Sequence, residues 1–474
     1  MFLKRKMLNR SKPSSMFGFA FFMFGLTLLT QLFHGYNFYY YLDQGLVDIT
    51  WATICKIAFV IVDWLNDLLF GYLSEKTKSK LGKRVPWLIY GALLLPLFII
   101  LTYVINKGAN FSIVGFGLYY LIISIGMENA STIMYTNYNA LLPNLFTTSN
   151  KRREVSSVKK GLEILGMITC YLLTPVLVSN LNLPYYVVAI IYTFVYLISL
   201  YVSLRTIKVK DDINAQTIEN GKYSFKQTIK DVSKEKPFIL YNIAQSFFAA
   251  ILSIIVSLYP MYCKYLLHIE GFQQSLCFGI FFATLICSLP LWYFLIKKYG
   301  HTKTWLINYL ISPFALILFL IPNNFITGLI TCGIIGIFFG ALMICPDMIS
   351  SELIDIDKLK YKVSREAALG SIANLIGRIS VILSAIATAI IAIIFGYKSG
   401  SEPGDNPYLT FKILFGVMLP IIAALGAIFA FIYYKFSKKD RLTLLTLKKE
   451  TSNKTSEVSI TEIIKNEKRK NINK

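Results

Sequence analysis

Val62-Asp-Trp-Leu-Asn-Asp-Leu-Leu-Phe-Gly-Tyr-Leu-Ser-Glu-Lys-Thr-Lys-Ser-Lys-Leu-Gly-Lys-Arg84 is the stretch on which the fold turns. It closes an apolar run that begins near residue 49 and delivers it into a basic loop holding Lys76, Lys78, Lys80, Lys83 and Arg84. An apolar run of that length crosses a hydrocarbon core of ~30 Å as a helix. A short loop dense in Lys and Arg marks the cytoplasmic side of such a crossing. Inside the run, Asn66 and Asp67 stand three and four residues after Asp63, so the three side chains share one helical face. Carboxylates within a span are costly, and they mark function by default.

The rest of the chain repeats the first half of this pattern. Of its 474 residues 55% are hydrophobic and only 16% charged, too few charges for a soluble enzyme or a disordered chain. Spans are predicted near 16–42, 49–75, 85–105, 112–142, 158–180 and 184–206, then near 237–267, 271–298, 302–321, 326–354, 366–396 and 408–435. Residues 207–236 form a polar cytoplasmic central loop and 436–474 a basic, disordered tail. The first apolar block is too long for a signal-peptide core and is expected to be retained. The expected fold is therefore all-α, with twelve transmembrane helices in two pseudo-symmetric six-helix bundles, 1–206 and 237–435.

Loop charges fix the expected orientation. Lys and Arg crowd the N-tail, the loops after spans 2 and 4, and the segments at 297–303 and 358–365, whereas the opposite segments at 43–48, 106–110, 181–184 and 323–324 hold Lys107 alone. Both termini are predicted cytoplasmic in a multi-pass protein of the plasma or cytoplasmic membrane. The formal charge of +22 belongs to these membrane-facing loops, so anionic headgroups rather than nucleic acid are the expected partner. Seven Cys without CxxC spacing and three scattered His residues, 34, 268 and 301, supply neither a metal set nor a catalytic triad, so no enzyme and no cofactor is expected. A weak repeat supports the two halves: the basic exit of span 2 has a counterpart at Trp292-Tyr-Phe-Leu-Ile-Lys-Lys-Tyr-Gly-His-Thr-Lys303 after span 8.

Polar residues inside spans define the candidate site. Asp63, Asn66 and Asp67 offer hard oxygen ligands for Na⁺ or Li⁺, with a shared proton or a structural network as alternatives. Span 4 carries Glu128, Asn129, Ser131, Thr132, Tyr135, Thr136, Asn137 and Asn139, a mixture suited to a wet cavity and a polyhydroxylated solute. Arg378 lies too deep in span 11 to reach the surface and needs an acidic or polar partner. Lys56 is expected to snorkel to the outer surface. Lys159 and Glu163 are read as an i,i+4 pair, and Asp347, Glu352, Asp355 and Asp357 as gate or loop ion-pairing groups.

Asp63 to Trp87, Asn137-Tyr-Asn-Ala-Leu-Leu-Pro143 and Ser364-Arg-Glu-Ala-Ala-Leu-Gly370 together resemble the glycoside-pentoside-hexuronide:cation symporters, the melibiose-permease-like branch of the major facilitator superfamily. The resemblance implies the major facilitator fold and alternating access. It implies a coupling cation, Na⁺ or H⁺, bound by Asp63, Asn66, Asp67 and Thr132. It places substrate contacts at Thr27, Tyr135, Lys159 and Arg378, to which the polar face of span 4 adds Glu128 and Asn139; the loop and span-end charges Lys83, Arg84, Arg153, Arg365 and Glu352 are candidate gate or loop contacts. The expected activity is symport of a small polar solute, a sugar or glycoside, by a monomer in the lipid bilayer. A lysolipid or other amphiphile transporter of the same fold, and a non-transporting receptor or scaffold, are the competing readings.

Overall fold

A computed structural model describes residues 13–58, 62, 77, 79, 84–146, 149–206, 230–361, 366–400 and 402–437. The described chain is helical. The first half contains α1 (Pro13–Asp43), α2 (Ile49–Ala58), α3 (Val85–Val104), α4 (Ile113–Leu145), α5 (Ser149–Pro175) and α6 (Tyr185–Thr206). The second contains α7 (Lys236–Tyr262), α8 (Phe272–Tyr299), α9 (His301–Ile317), α10 (Phe325–Tyr361), α11 (Glu366–Gly377, resuming at Ile379–Phe395) and α12 (Pro407–Ser437). Eleven of these are long and apolar enough to cross a membrane; α2 is described over its first ten residues only. The central segment 207–229 and the tail from 438 lie outside the described residues.

Helices arise here because a spanning segment must satisfy its own backbone polar groups where water is absent. Their outward faces are apolar without a soluble counterpart: Leu93, Phe314 and Ile393 are 72%, 72% and 82% exposed. Such surfaces belong in lipid. The predicted boundaries that fall on described residues hold to within a few residues except at two ends, and the predicted end of span 2 near 75 lies outside the described residues. Helix α5 begins at Ser149 rather than 158, and α10 runs to Tyr361 rather than 354. In both places a charged segment continues the helix beyond the apolar run, since backbone bonding proceeds in water as well as in lipid.

Within the first half α1 packs on α5 and α6, and α3 on α4 and α6; within the second, α7 packs on α11, and α9 on α10. The pairs α1/α5 and α7/α11, like α3/α4 and α9/α10, correspond if the second half repeats the first. Close crossings rest on glycine. A Cβ on Gly166 of α5 would stand 2.6 Å from the Phe24 carbonyl oxygen of α1, and one on Gly336 of α10 would collide with the Phe281 carbonyl of α8. Small residues let backbones approach in this way, and dispersion then replaces the hydrophobic drive that lipid cannot supply.

The two halves meet at the face opposite the described termini. Asp43 at the end of α1 pairs with Lys264 at the end of α7, Oδ1 to Nζ 2.6 Å. Backbone bonds run from Gly400 N to Leu42 O (2.6 Å) and from Ile49 N to Lys398 O (2.8 Å). Asn180 Oδ1 accepts from Phe272 N (2.7 Å), and Ser275 Oγ donates to Leu172 O (2.7 Å). Deeper, Tyr171 of α5 stacks on Phe278 of α8 with centroids 5.1 Å apart, and Thr53 of α2 meets Thr388 of α11 at 3.1 Å. The opposite face is thus held shut by contacts of α1 with α7, α5 with α8 and α2 with α11.

Candidate functional site

Between the halves lie two adjacent chambers of about 480 and 570 Å³. They share His34 of α1, Glu128 of α4, Ala249 of α7, and Arg378 and Val381 of α11. The first lies toward the closed face and is walled by aromatic rings, among them Phe38, Tyr171, Tyr259, Phe278 and Phe282. The second lies toward the terminal face and is polar, with Thr132, Tyr135 and Asn139 from α4 opposite Asn242 and Gln245 from α7 and Asn374 from α11. Together they form a passage shut at one end.

Helix geometry explains why α4 dominates the polar chamber. Glu128, Ser131, Thr132, Tyr135, Thr136 and Asn139 follow three- and four-residue steps, so one face of the helix carries them all into the cavity. Asn137 falls on another face and turns back to bond its own helix at Ile133 O (2.8 Å). Tyr135 is anchored to α1 through Thr30, 3.2 Å from hydroxyl to hydroxyl, and Ser131 Oγ donates to Glu128 Oε2 at 3.3 Å. Arg378 stands where α11 breaks between its two helical stretches: its N–H bonds Leu375 O, a three-residue step that interrupts the α-helical ladder. The break brings the guanidinium to the wall that both chambers share.

Of the predicted substrate residues, the fold gathers Glu128, Tyr135, Asn139 and Arg378 around the chambers, with Thr132, a predicted cation ligand, beside them. Thr27 is not part of the lining; it is 2% exposed at the α1–α5 crossing, where a Cβ on Gly166 would come within 3.2 Å of its own. Lys159 reaches the site indirectly, donating from Nζ to Asn139 Oδ1 at 2.5 Å. That bond corrects the expected Lys159–Glu163 pairing: Glu163 is bound by Lys160 at 3.0 Å instead, because Lys159 points into the bundle and Lys160 away from it. Asp63, Asn66, Asp67, Lys83 and Arg365 lie outside the described residues, as does the Arg153 side chain. Arg84 precedes α3, and Glu352 of α10 binds His301 of α9 at 2.7 Å, a contact within the second half.

Lys56 departs most from expectation. Rather than snorkelling outward, its side chain turns into the aromatic chamber, with Nζ 3.9 Å from the centre of the Phe38 ring and 3.4 Å from Ser384 Oγ. The neighbouring contact of α2 with α11 at Thr53 and Thr388 keeps it inside. Sequence reasoning also passed over His34, set aside as one of three scattered histidines; a lone ionisable residue in the middle of a span was the available signal. The amide oxygens of Asn37 and Gln245, both on lining residues, are buried and accept no hydrogen bond from the described residues.

The MFS/sugar transport protein family profile matches residues 16–438. Among curated proteins the chain is 25% identical over 161 residues to an uncharacterized symporter of Synechocystis sp., covering 33% of this chain and 30% of the relative. It is 25% identical over 165 residues to the uncharacterized symporter YnaJ of Bacillus subtilis, covering 35% of each. It is 23% identical over 425 residues to the lactose permease of Lactobacillus delbrueckii subsp. bulgaricus, covering 84% of this chain and 65% of the permease. The chain thus spans about a third of the first two relatives and just under two thirds of the third. Among solved structures, a peptide transporter POT in complex with sulfate superposes with a TM-score of 0.61 at 13% identity, over 91% of this chain and 96% of that one, a likeness of fold. With nearly every described helix inside the matched region, the chain belongs to the MFS/sugar transport protein family, a family of transporters rather than enzymes.

Proposed function

We propose that the protein is a cation-coupled symporter of a small polar organic solute, a sugar or glycoside in the first instance, working by alternating access between the bundles 1–206 and 237–435. The observation that carries this reading is the passage itself: two chambers between the halves, shut at one face by inter-half bonds. The polar groups of α4, the amide oxygens of Gln245 and Asn37, and Arg378 provide donors and acceptors for hydroxyl groups. The two-carboxylate face of span 2, Asp63 and Asp67 with Asn66, is the proposed seat of the cation, and Thr132 on the polar wall is a further oxygen donor. A cation that offsets the charge of the paired carboxylates favours docking of span 2, so each ligand raises the affinity for the other. The basic loops support a cytoplasmic terminal face, and on that reading the described state is inward-facing.

The test is uptake into proteoliposomes of a panel of labelled sugars and glycosides under inward Na⁺, K⁺ or proton gradients. Uptake of at least one solute is expected to rise with Na⁺ or with protons, and Asp67→Asn is expected to abolish that stimulation while the protein folds normally. Equal cation stimulation in Asp67→Asn refutes the assignment. The aromatic chamber favours a second reading, an amphiphile carried head-first in the same passage; competition of sugar uptake by amphiphiles but not by sugars would support it.

A further inference from the structure

We infer that Cys277 and Cys332 form a redox modification site in the wall of the passage, a dithiol that a small organic disulfide oxidises to a disulfide bond. The site goes beyond the transport reading and does not depend on it. Helix register brings the two residues together. Helices α8 and α10 both descend from the closed face, and they keep step as they do so. A Cβ on Gly333 would stand 3.6 Å from Ile280 Cγ1, one on Gly336 would collide with the Phe281 carbonyl, and one on Gly340 would stand 2.6 Å from both Ser288 Oγ and Trp292 Cδ1. Cys277 lies four residues before Phe281 and Cys332 four before Gly336, one turn back on the two faces that meet. Both are free thiols, and they hydrogen-bond one another. A disulfide bond requires side chains directed at each other from closely spaced backbones, which this crossing supplies.

The surroundings single out exchange chemistry. Among the described residues no three His, Cys, Asp or Glu side chains gather to hold a metal ion, so the pair lacks the further ligands of a zinc site. Both cysteines line the aromatic chamber, which continues into the polar chamber toward the terminal face, so a small apolar reagent reaches them along the passage. Tyr259 of α7 stands beside them with its hydroxyl 2.9 Å from Cys332 Sγ, a hydrogen-bond partner for the sulfur as it gains charge. One thiol attacks a sulfur of the entering disulfide, and its proton leaves with the departing thiol. The second thiol then displaces the remaining half and closes the Cys277–Cys332 bond, so the dithiol is oxidised and the reagent is reduced to two thiols. The new bond ties α8 to α10 at the turn that carries Phe278, whose ring stacks on Tyr171 of the other half with centroids 5.1 Å apart. The redox site thus adjoins a contact that seals the closed face.

The experiment treats the purified, reduced full-length protein in non-ionic detergent with 4,4′-dithiodipyridine, a small aromatic disulfide. Remaining thiols are then blocked with N-ethylmaleimide, and every cysteine is mapped by peptide mass spectrometry. The expected product is a Cys277–Cys332 disulfide with no pyridylthio group left on either residue, reversed by dithiothreitol, while the exposed Cys287 keeps its pyridylthio group. Cys332→Ser is expected to trap that group on Cys277, and Cys277→Ser to trap it on Cys332, because the second displacement is then lost. The map of the unsubstituted protein decides the matter even where a variant folds poorly. Stable adducts on both residues of that protein, no reaction at either, or a bond from either to Cys263 overturns the inference. The map does not depend on which solute or cation is carried, so a failure of the uptake test leaves it standing.

Discussion

Breaking the Asp43–Lys264 pair should open the closed face. The pair bridges the ends of α1 and α7 at 2.6 Å, with side chains 18% and 34% exposed, so it is neither fully solvated nor buried. Exposed pairs contribute ~0.2–1 kcal/mol. Losing one partner of a buried pair costs ~3–5 kcal/mol. A half-exposed pair lies between, nearer the lower figure because water reaches Lys264; about 1–2 kcal/mol is expected for Asp43→Ala. That is a factor of about 5–30 in the ratio of open to closed. The remaining clamps, from Gly400 to Leu42 and from Ile49 to Lys398, use backbone atoms that the substitution leaves in place, so the protein should open more often without unfolding. The assay is modification of a single cavity cysteine, Cys277, by a membrane-impermeant maleimide added at the face opposite the termini, with the other six cysteines replaced. Its rate follows the open fraction while that fraction is small, so it should rise about 5–30-fold in Asp43→Ala. The charge-reversed double variant, Asp43→Lys with Lys264→Asp, should return it toward the starting value. An unchanged rate in Asp43→Ala, or no recovery in the double variant, refutes the view that this pair holds the face shut.

Further outcomes follow from packing. Gly166→Ala should lower stability by about 1–3 kcal/mol, because the added methyl meets the α1 backbone at Phe24 and backbone cannot yield as a side chain does. Gly161→Ala, five residues earlier on the same helix with open space around it, should be neutral or stabilising by ~0.5–1 kcal/mol; thermal melts of the two variants in one detergent give the comparison. Tyr171→Phe removes the hydroxyl bond to Gln31 Oε1 (2.7 Å) but keeps the stack on Phe278, so a loss of about 1 kcal/mol is expected. Tyr171→Ala removes both and should cost about 3–5 kcal/mol. It should also raise maleimide access to Cys277 from the closed face, and equal melting temperatures for the two variants would count against the stack as an inter-half contact.

Much of the site on α4 was legible because a helix converts spacing into direction. Glu128, Thr132, Tyr135 and Asn139 fall on one face whatever their neighbours are, and the cavity lies on that face. The depth of Arg378 was legible too, since its distance from both ends of an apolar run follows from counting. What the wall would be made of was not. The rings around Lys56 come from α1, α5, α7 and α8, and no local pattern announces that Phe38, Tyr171, Tyr259 and Phe278 share a chamber. Lys56 was misread for the same reason. Near a helix end, a lysine turns outward or inward according to what stands beside it, and here that is Phe38 and Ser384, the latter 328 residues away. No local pattern marks the pairing of Asp43 with Lys264, because the two are 221 residues apart in sequence and meet only where the halves do.

The sequence by itself determined that the chain spans the membrane repeatedly, within a few residues where most of the described crossings begin and end, and that the polar residues of α4 share one face. Each of those is set by local physics: the length of an apolar run against the bilayer, the charge of a loop, and the 3.6-residue period of a helix. Only the tertiary structure decided which face is closed, which cation stands in the cavity without an ion pair among the described residues, and that the passage divides into an aromatic and a polar chamber. Those properties arise where α1 meets α7, α2 meets α11 and α5 meets α8. Contacts between segments so distant in the chain depend on packing, and in lipid packing is governed by the fit of side chains, which composition and spacing do not encode.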